Sequence, residues 1–194
     1  MSMSTSLGID NVRHCVDCRE SNGHKGAMEG GATQWEILDR LGIIYDFTDL
    51  GSARKGLKGY CTCFFSQYFI AINHNLPDYL QELVAMHELG HIILSPELLK
   101  NGNFMVDSNL SIATDRAEIA ANYFAAEMMI DDDELISLIK CGYTIQESAA
   151  SLRVPDAFVI LKCEILTEFG YKLRLQDMPD VDCLGDDIIG MENF

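Results

Sequence analysis

Two histidines four residues apart, with a glutamate beside the first, are the residues of this chain best suited to chemistry: His87-Glu88-Leu89-Gly90-His91. On an α-helix, positions i and i+4 differ by about 40° in azimuth, so both imidazoles leave one face, a turn apart. Two nitrogens so placed can reach one zinc ion at about 2.1 Å each. Glu88 lies about 100° round from His87, off the ligand face but within reach of a water at the metal. The chemistry is that of metal-assisted hydrolysis, with Glu88 as general base. Leu80, Leu83 and Val84 continue the histidine face toward the N-terminus. The pair is therefore expected on the buried side of an amphipathic helix, with Gly90 leaving room for substrate beside the metal. Against this stands coincidence, since so short a pattern often arises by chance. The chain has only 5 histidines, which makes such a pair less ordinary.

A catalytic zinc needs a third protein ligand and an open fourth position. Glu118-Ile119-Ala120-Ala121-Asn122 opens a second long, Ala-rich helix and offers Glu118. A carboxylate on a packed helix face needs a partner, because burying a lone charge is costly. Taken alone, Glu118 reads equally well as a surface glutamate; beside the histidine pair, the ligand reading is favoured. Asn122, one turn on, could hydrogen-bond a ligand and fix its orientation. Asp115 is a rival ligand, although an acid in the first turn also suits a solvated role near the helix dipole. Cys63 is another, in the manner of a deformylase-like hydrolase. The oxyanion of such a reaction needs a further donor, and Tyr123, Tyr60 and His74 remain open for that role.

These residues require elements to hold them. Trp35, Leu38 and Leu41 recur at helical spacing, predicting a helix over Thr33 to Leu41 that Gly42 ends. Ile43 to Phe47, Leu57 to Phe65 and Tyr68 to Ile72 read as strands, making a small sheet of about three. The third strand could pair with an extended substrate at a sheet edge. Asn75 is expected to cap the metal helix, with Pro77 in its first turn and Ser95-Pro96 as its stop. The following stretch, with Asn101-Gly102-Asn103, reads as loop. The glutamate helix runs from about Asp115 to Ile130. Shorter helices follow: Asp132 to Cys141, one opened by the capping box Thr144-Ile145-Gln146-Glu147, and Pro155 to Phe169. The last two have helix-turn-helix-like lengths but read better as packing against the metal helix or a partner.

Composition limits the classes available. With 194 residues and 48% hydrophobic content, one domain with a real core is expected. Lys and Arg number 14 against 30 Asp and Glu, a formal charge of −16. Direct binding to nucleic acid or an anionic membrane is disfavoured, whereas a basic protein partner would be steered in. No apolar run approaches the roughly 20 residues of a membrane helix. The first residues lack the basic start and apolar core of a signal peptide, so the expected compartment is cytoplasmic. The 7 cysteines do not form a secreted disulfide framework. Cys15 and Cys18, with His14, His24, Cys61 and Cys63, could be assembled into a second zinc site. The second pair has too short a spacing, and free thiols are the better reading. Cys141, Cys163 and Cys183 read as reduced thiols.

Met86-His87-Glu88-Leu89-Gly90-His91, followed by Glu118 to Met129, resembles the ImmA/IrrE family of zinc metallopeptidases of bacterial mobile elements and stress responses. The resemblance covers about residues 33 to 170. It implies His87, His91 and Glu118 as ligands of one zinc per chain and Glu88 as base. It also implies an endopeptidase that cleaves a helix-turn-helix transcriptional repressor. A non-catalytic antirepressor, stapled by its metal and acting by binding alone, is the alternative. Relatives usually close the glutamate helix with a proline; here Asp131-Asp132-Asp133 stands in that place. The expected fold is α+β, a small zincin-like domain with a short sheet, the metal helix and a helical C-terminal half. Its expected bounds are 32–170, with the C-terminal helices at 131–170. A flexible arm (1–31) precedes it and an acidic tail (171–194) follows.

Overall fold

The computed structural model describes residues 33–102, 104–106 and 116–173. The expected arm, most of the acidic tail, Asp115, and the His14, Cys15, Cys18, His24 and Cys183 group lie outside them. The fold is α+β, as expected, with one sheet and the helices packed behind it.

Helix α1 (Gln34–Arg40) is opened by a capping box in which Thr33 and Glu36 exchange side-chain-to-backbone hydrogen bonds. Gly42, at φ +68, turns the chain into strand β1 (Ile44–Thr48). β2 (Gly59–Phe64) and β3 (Gln67–Asn73) form a hairpin. Its two turn residues are Phe65 and Ser66, both at positive φ, one residue earlier than the sequence suggests. The expected count of about three strands is too low. Phe104–Val106 adds β4, antiparallel to β2, in a stretch read as loop. Before it, Pro96–Gly102 forms a 3-10 helix. The order is β1-β3-β2-β4, with β1 parallel to β3. β3 is thus an interior strand whose hydrogen bonds are taken on both sides, and it cannot offer a substrate an edge. Among the described residues, the edges are β1 and β4.

Helix α2 (Asp78–Leu94) carries the histidine motif. Its N-cap position is Pro77, which makes no side-chain cap. Asn75, expected in that role, instead bonds Asp49 Oδ1 and Gly51 O, securing the preceding loop. α2 is not amphipathic in the expected sense. Every residue from Leu83 to Ile92 is buried, because the helix lies between the sheet and the next long helix. Alternation along β2 and β3 turns Cys61, Ile70 and Ile72 toward it. Trp35 stacks on Tyr45 and meets Phe47 edge-on, tying α1 to the same face of the sheet.

Helix α3 (Arg116–Met129) packs along α2, and helices α4 (Asp132–Lys140), α5 (Ile145–Leu152) and α6 (Asp156–Glu168) complete the C-terminal half. Asp131 caps α4 by accepting from the Glu134 amide, so the acidic run Asp131-Asp132-Asp133 starts a new helix. The Thr144–Glu147 capping box opens α5 as its sequence predicts. α6 packs chiefly on α3 rather than on the metal helix. Lys162 of α6 is fully buried, and its ammonium meets Glu127 at 2.7 Å and Asp132 at 2.6 Å. This cluster joins three helices. Lys162→Ala removes the cation between two carboxylates and should cost about 3 kcal/mol, because the remaining buried charge goes uncompensated. The check is the urea midpoint; a shift no larger than that of a surface Lys→Ala control would refute the buried-pair account.

Candidate metal centre

The centre is built where α2 and α3 cross. Gly90 allows the approach: a Cβ there would lie 2.9 Å from Ala121 Cα and 3.2 Å from Phe124 Cβ. The space that glycine leaves is filled by the neighbouring helix, not kept for substrate as the sequence suggests. With the axes this close, Glu118 in the first turn of α3 reaches the histidine face of α2. His87 Nε2 and His91 Nε2 are 3.0 Å apart, and each lies 3.3 Å from an oxygen of Glu118. The imidazole planes stand at 86°, so the rings converge at their tips rather than stack.

This donor set fits a metal cation. Ligands about 2.1 Å from a tetrahedral zinc stand about 3.4 Å from one another, close to the spacings here. Among the described residues, the group whose ligand atoms all fall within 4.8 Å is His87, His91 and Glu118; Cys63 does not belong to it. His87 Nδ1 lies 2.9 Å from Asn122 Oδ1. A carbonyl oxygen only accepts, so Nδ1 carries the hydrogen and Nε2 the lone pair. A lone pair and a carboxylate thus point at a common centre, the arrangement a cation resolves.

Glu88 leaves α2 on another side. It is 1% exposed and lies against β2. A Cβ at Gly59 would come within 3.3 Å of Glu88 Oε1 and 2.5 Å of Val84 Cγ1. The Cys61 thiol, on the same face of β2 as Gly59, is pushed far up in pKa by burial first and then by the Glu88 charge. Sequence reasoning missed Gly59 and grouped Cys61 with Cys63. Strand alternation could have put Gly59 and Cys61 on one face, but not opposite Glu88.

The three oxyanion donors suggested by the sequence are not brought to this cluster. Tyr123 gives its hydroxyl to Glu164 of α6. His74 is exposed, four residues before α2 begins, and His87 lies about 14 Å further along the axis from the helix start. Tyr60 alternates with Cys61, so its side chain lies on the face of the sheet turned from α2, with Thr62 and Phe64.

A family model described as the IrrE N-terminal-like domain, of peptidase type, matches residues 38–164. The chain is also similar to "Uncharacterized immunity region protein 2" of Bacillus phage phi105, with 33% identity over 94 residues. That alignment covers 48% of this chain and 58% of the phage protein's length. No solved structure matches the chain. Among the described residues, no helix is long and apolar enough to cross a membrane.

Proposed function

The chain belongs to the IrrE N-terminal-like domain family, a family of metallopeptidase type, and from that premise we propose that it is a zinc-dependent endopeptidase acting on a helix-turn-helix transcriptional repressor. The observation that carries the reading is the convergence of His87 Nε2, His91 Nε2 and the Glu118 carboxylate, with Glu88 buried on the same helix. Three protein ligands leave a coordination position open, as catalysis requires, whereas structural zinc sites usually fill all four from protein.

When bound, zinc would supply a Lewis acid to the scissile carbonyl and acidify the attacking water. The chain's own residues do the rest. His87 and His91 present neutral nitrogens, and Asn122 holds the His87 tautomer. Glu118 offsets one unit of the metal's charge, leaving the centre positive for a developing oxyanion. Glu88 takes the water's proton and passes it to the leaving amine. We place this unit at residues 32–170.

The substrate class rests on the family and on charge. A formal −16 steers basic partners, and the DNA-binding surface of a repressor carries the Lys and Arg required. The phage relative is named for an immunity region, a setting that suits a switch acting on a repressor. A cut between the DNA-binding and oligomerisation parts would remove avidity and release the operator.

Incubation with the repressor encoded beside its gene should give one or few fragments by mass spectrometry. Chelation should stop the cleavage, added salt should weaken association, and casein should stay whole. An intact repressor beside digested casein would mean a general protease and defeat the substrate assignment.

A further inference from the structure

The sheet has a second face, turned from α2, and much of it is apolar. Register sets Ile44 beside Phe69 and Thr62, and Asp46 beside Ala71 and Tyr60, so these side chains share that face. They line a hollow of about 340 Å3, with Phe64 at its hairpin end. Ile44 and Phe64 are both exposed. An apolar sheet face is ordinarily covered by a packed layer, often of helix.

Beyond Phe64 stands Phe65, fully exposed at the tip of the β2–β3 hairpin. Both tip residues have positive φ, 48° at Phe65 and 63° at Ser66, where Asn-Gly is the usual pair. A bulky side chain strains that conformation. Neither packing nor backbone preference accounts for a phenylalanine here, which leaves contact with another molecule. Gln67 donates to Gly42 O at 2.6 Å, so exposed Leu41 extends the apolar rim beside the tip.

Charge selects the occupant. Asp46 is the one charged residue in the lining, and it is exposed and without an ion pair among the described residues. A second copy would bring another formal −16 and a second Asp46, and like charges oppose that pairing. A helix with an apolar stripe flanked by Lys or Arg fits both the hollow and the acid.

We propose that this groove, with Phe65 as its anchor, docks a basic amphipathic helix of a protein partner. Naming the repressor as that partner rests on the reading above, since a helix-turn-helix domain is built of helices bearing Lys and Arg. The sheet separates the groove from the metal centre. The groove therefore holds a substrate without touching the reacting atoms.

The test is methyl NMR of the full-length, zinc-loaded protein titrated with a synthetic amphipathic helix of leucine and lysine. The methyl signals of Ile44 and Ala71 should shift, and a matched leucine–glutamate helix should bind at least about 10-fold more weakly. Asp46→Asn should narrow that difference. Phe65→Asn should weaken the lysine helix by about 10-fold or more, as loss of an aromatic anchor does. The same variant should unfold at higher urea, because asparagine tolerates positive φ. Shifts confined to other surfaces, unchanged affinity in Phe65→Asn, or an undiminished lysine preference in Asp46→Asn would overturn the proposal. So would a wild-type dimer that Phe65→Asn splits, since the groove would then take a second copy.

With the neighbouring repressor as substrate, Phe65→Asn should raise KM by about 10-fold. A lysine helix seated in the groove, with no repressor cleavage by wild type, would keep the groove and remove the repressor reading. Cleavage by Phe65→Asn at the wild-type KM, with no shift at Ile44, would do the reverse.

Discussion

Glu88→Gln is expected to retain zinc at about one ion per chain while repressor cleavage falls by about 10²- to 10⁴-fold, the usual worth of a general base. Glutamine matches glutamate in size, so the packing against Gly59 and Val84 survives, but an amide cannot take the water's proton. Glu88 is outside the converging group of His87, His91 and Glu118, so its charge is not needed to hold the ion. The contrast is His87→Ala or His91→Ala, each of which removes one of the converging nitrogens and should lose most of the metal. Elemental analysis separates the two classes. A Glu88→Gln protein that loses its zinc would show that Glu88 acts as a ligand and reverse the assignment. The variant also separates enzyme from antirepressor: a protein that works by binding alone should still relieve repression as Glu88→Gln, and a peptidase should not.

How far the site could be read in advance follows from the range of the forces involved. His87, Glu88 and His91 share one helix, so helical geometry alone places them. Glu118 and Asn122 are one turn apart on another helix, and an acid on an Ala-rich face signals a partner even before the partner is known. What no periodicity could show is which surfaces meet. Gly90 reads as a gap when α2 is considered alone, yet the gap is filled by Ala121 and Phe124. Tyr123 follows Asn122 and looked available, but burial of α6 on α3 commits its hydroxyl to Glu164. β3 was recognisable as a strand from its composition. Its interior position depends on β1, which pairs with it in parallel on the side away from β2, a partnership that no alternation within either strand reveals. The Lys162 cluster was hidden for the same reason, since its three charges come from three helices.

Gly90→Val is expected to break the centre without touching a ligand. A Cβ at this position meets Ala121 Cα at 2.9 Å and Ala121 O at 3.2 Å, which are backbone atoms of α3 and cannot rotate aside. The helices must separate, and Ala121 sits between Glu118 and Asn122 in sequence. The displacement therefore passes to the 3.3 Å contacts of Glu118 with both histidines and to the 2.9 Å bond that His87 Nδ1 donates to Asn122 Oδ1. Zinc affinity should fall by at least the 10- to 100-fold typical of losing an outer partner of a metal ligand. For stability two effects compete. Removing glycine from a helix interior gains up to about 1 kcal/mol, whereas overpacking a well-packed crossing costs about 1–3 kcal/mol. Gly90→Ala should come out near balance in urea unfolding of the metal-free protein, yet still bind zinc more weakly than wild type. Gly90→Val adds two methyl groups to the same clash, so stability and metal binding should fall together. Competition against a chromogenic chelator measures the affinity in both variants. Wild-type zinc affinity in Gly90→Val would mean that the crossing does not set the position of Glu118, and the account of how the two helices build the centre would fail.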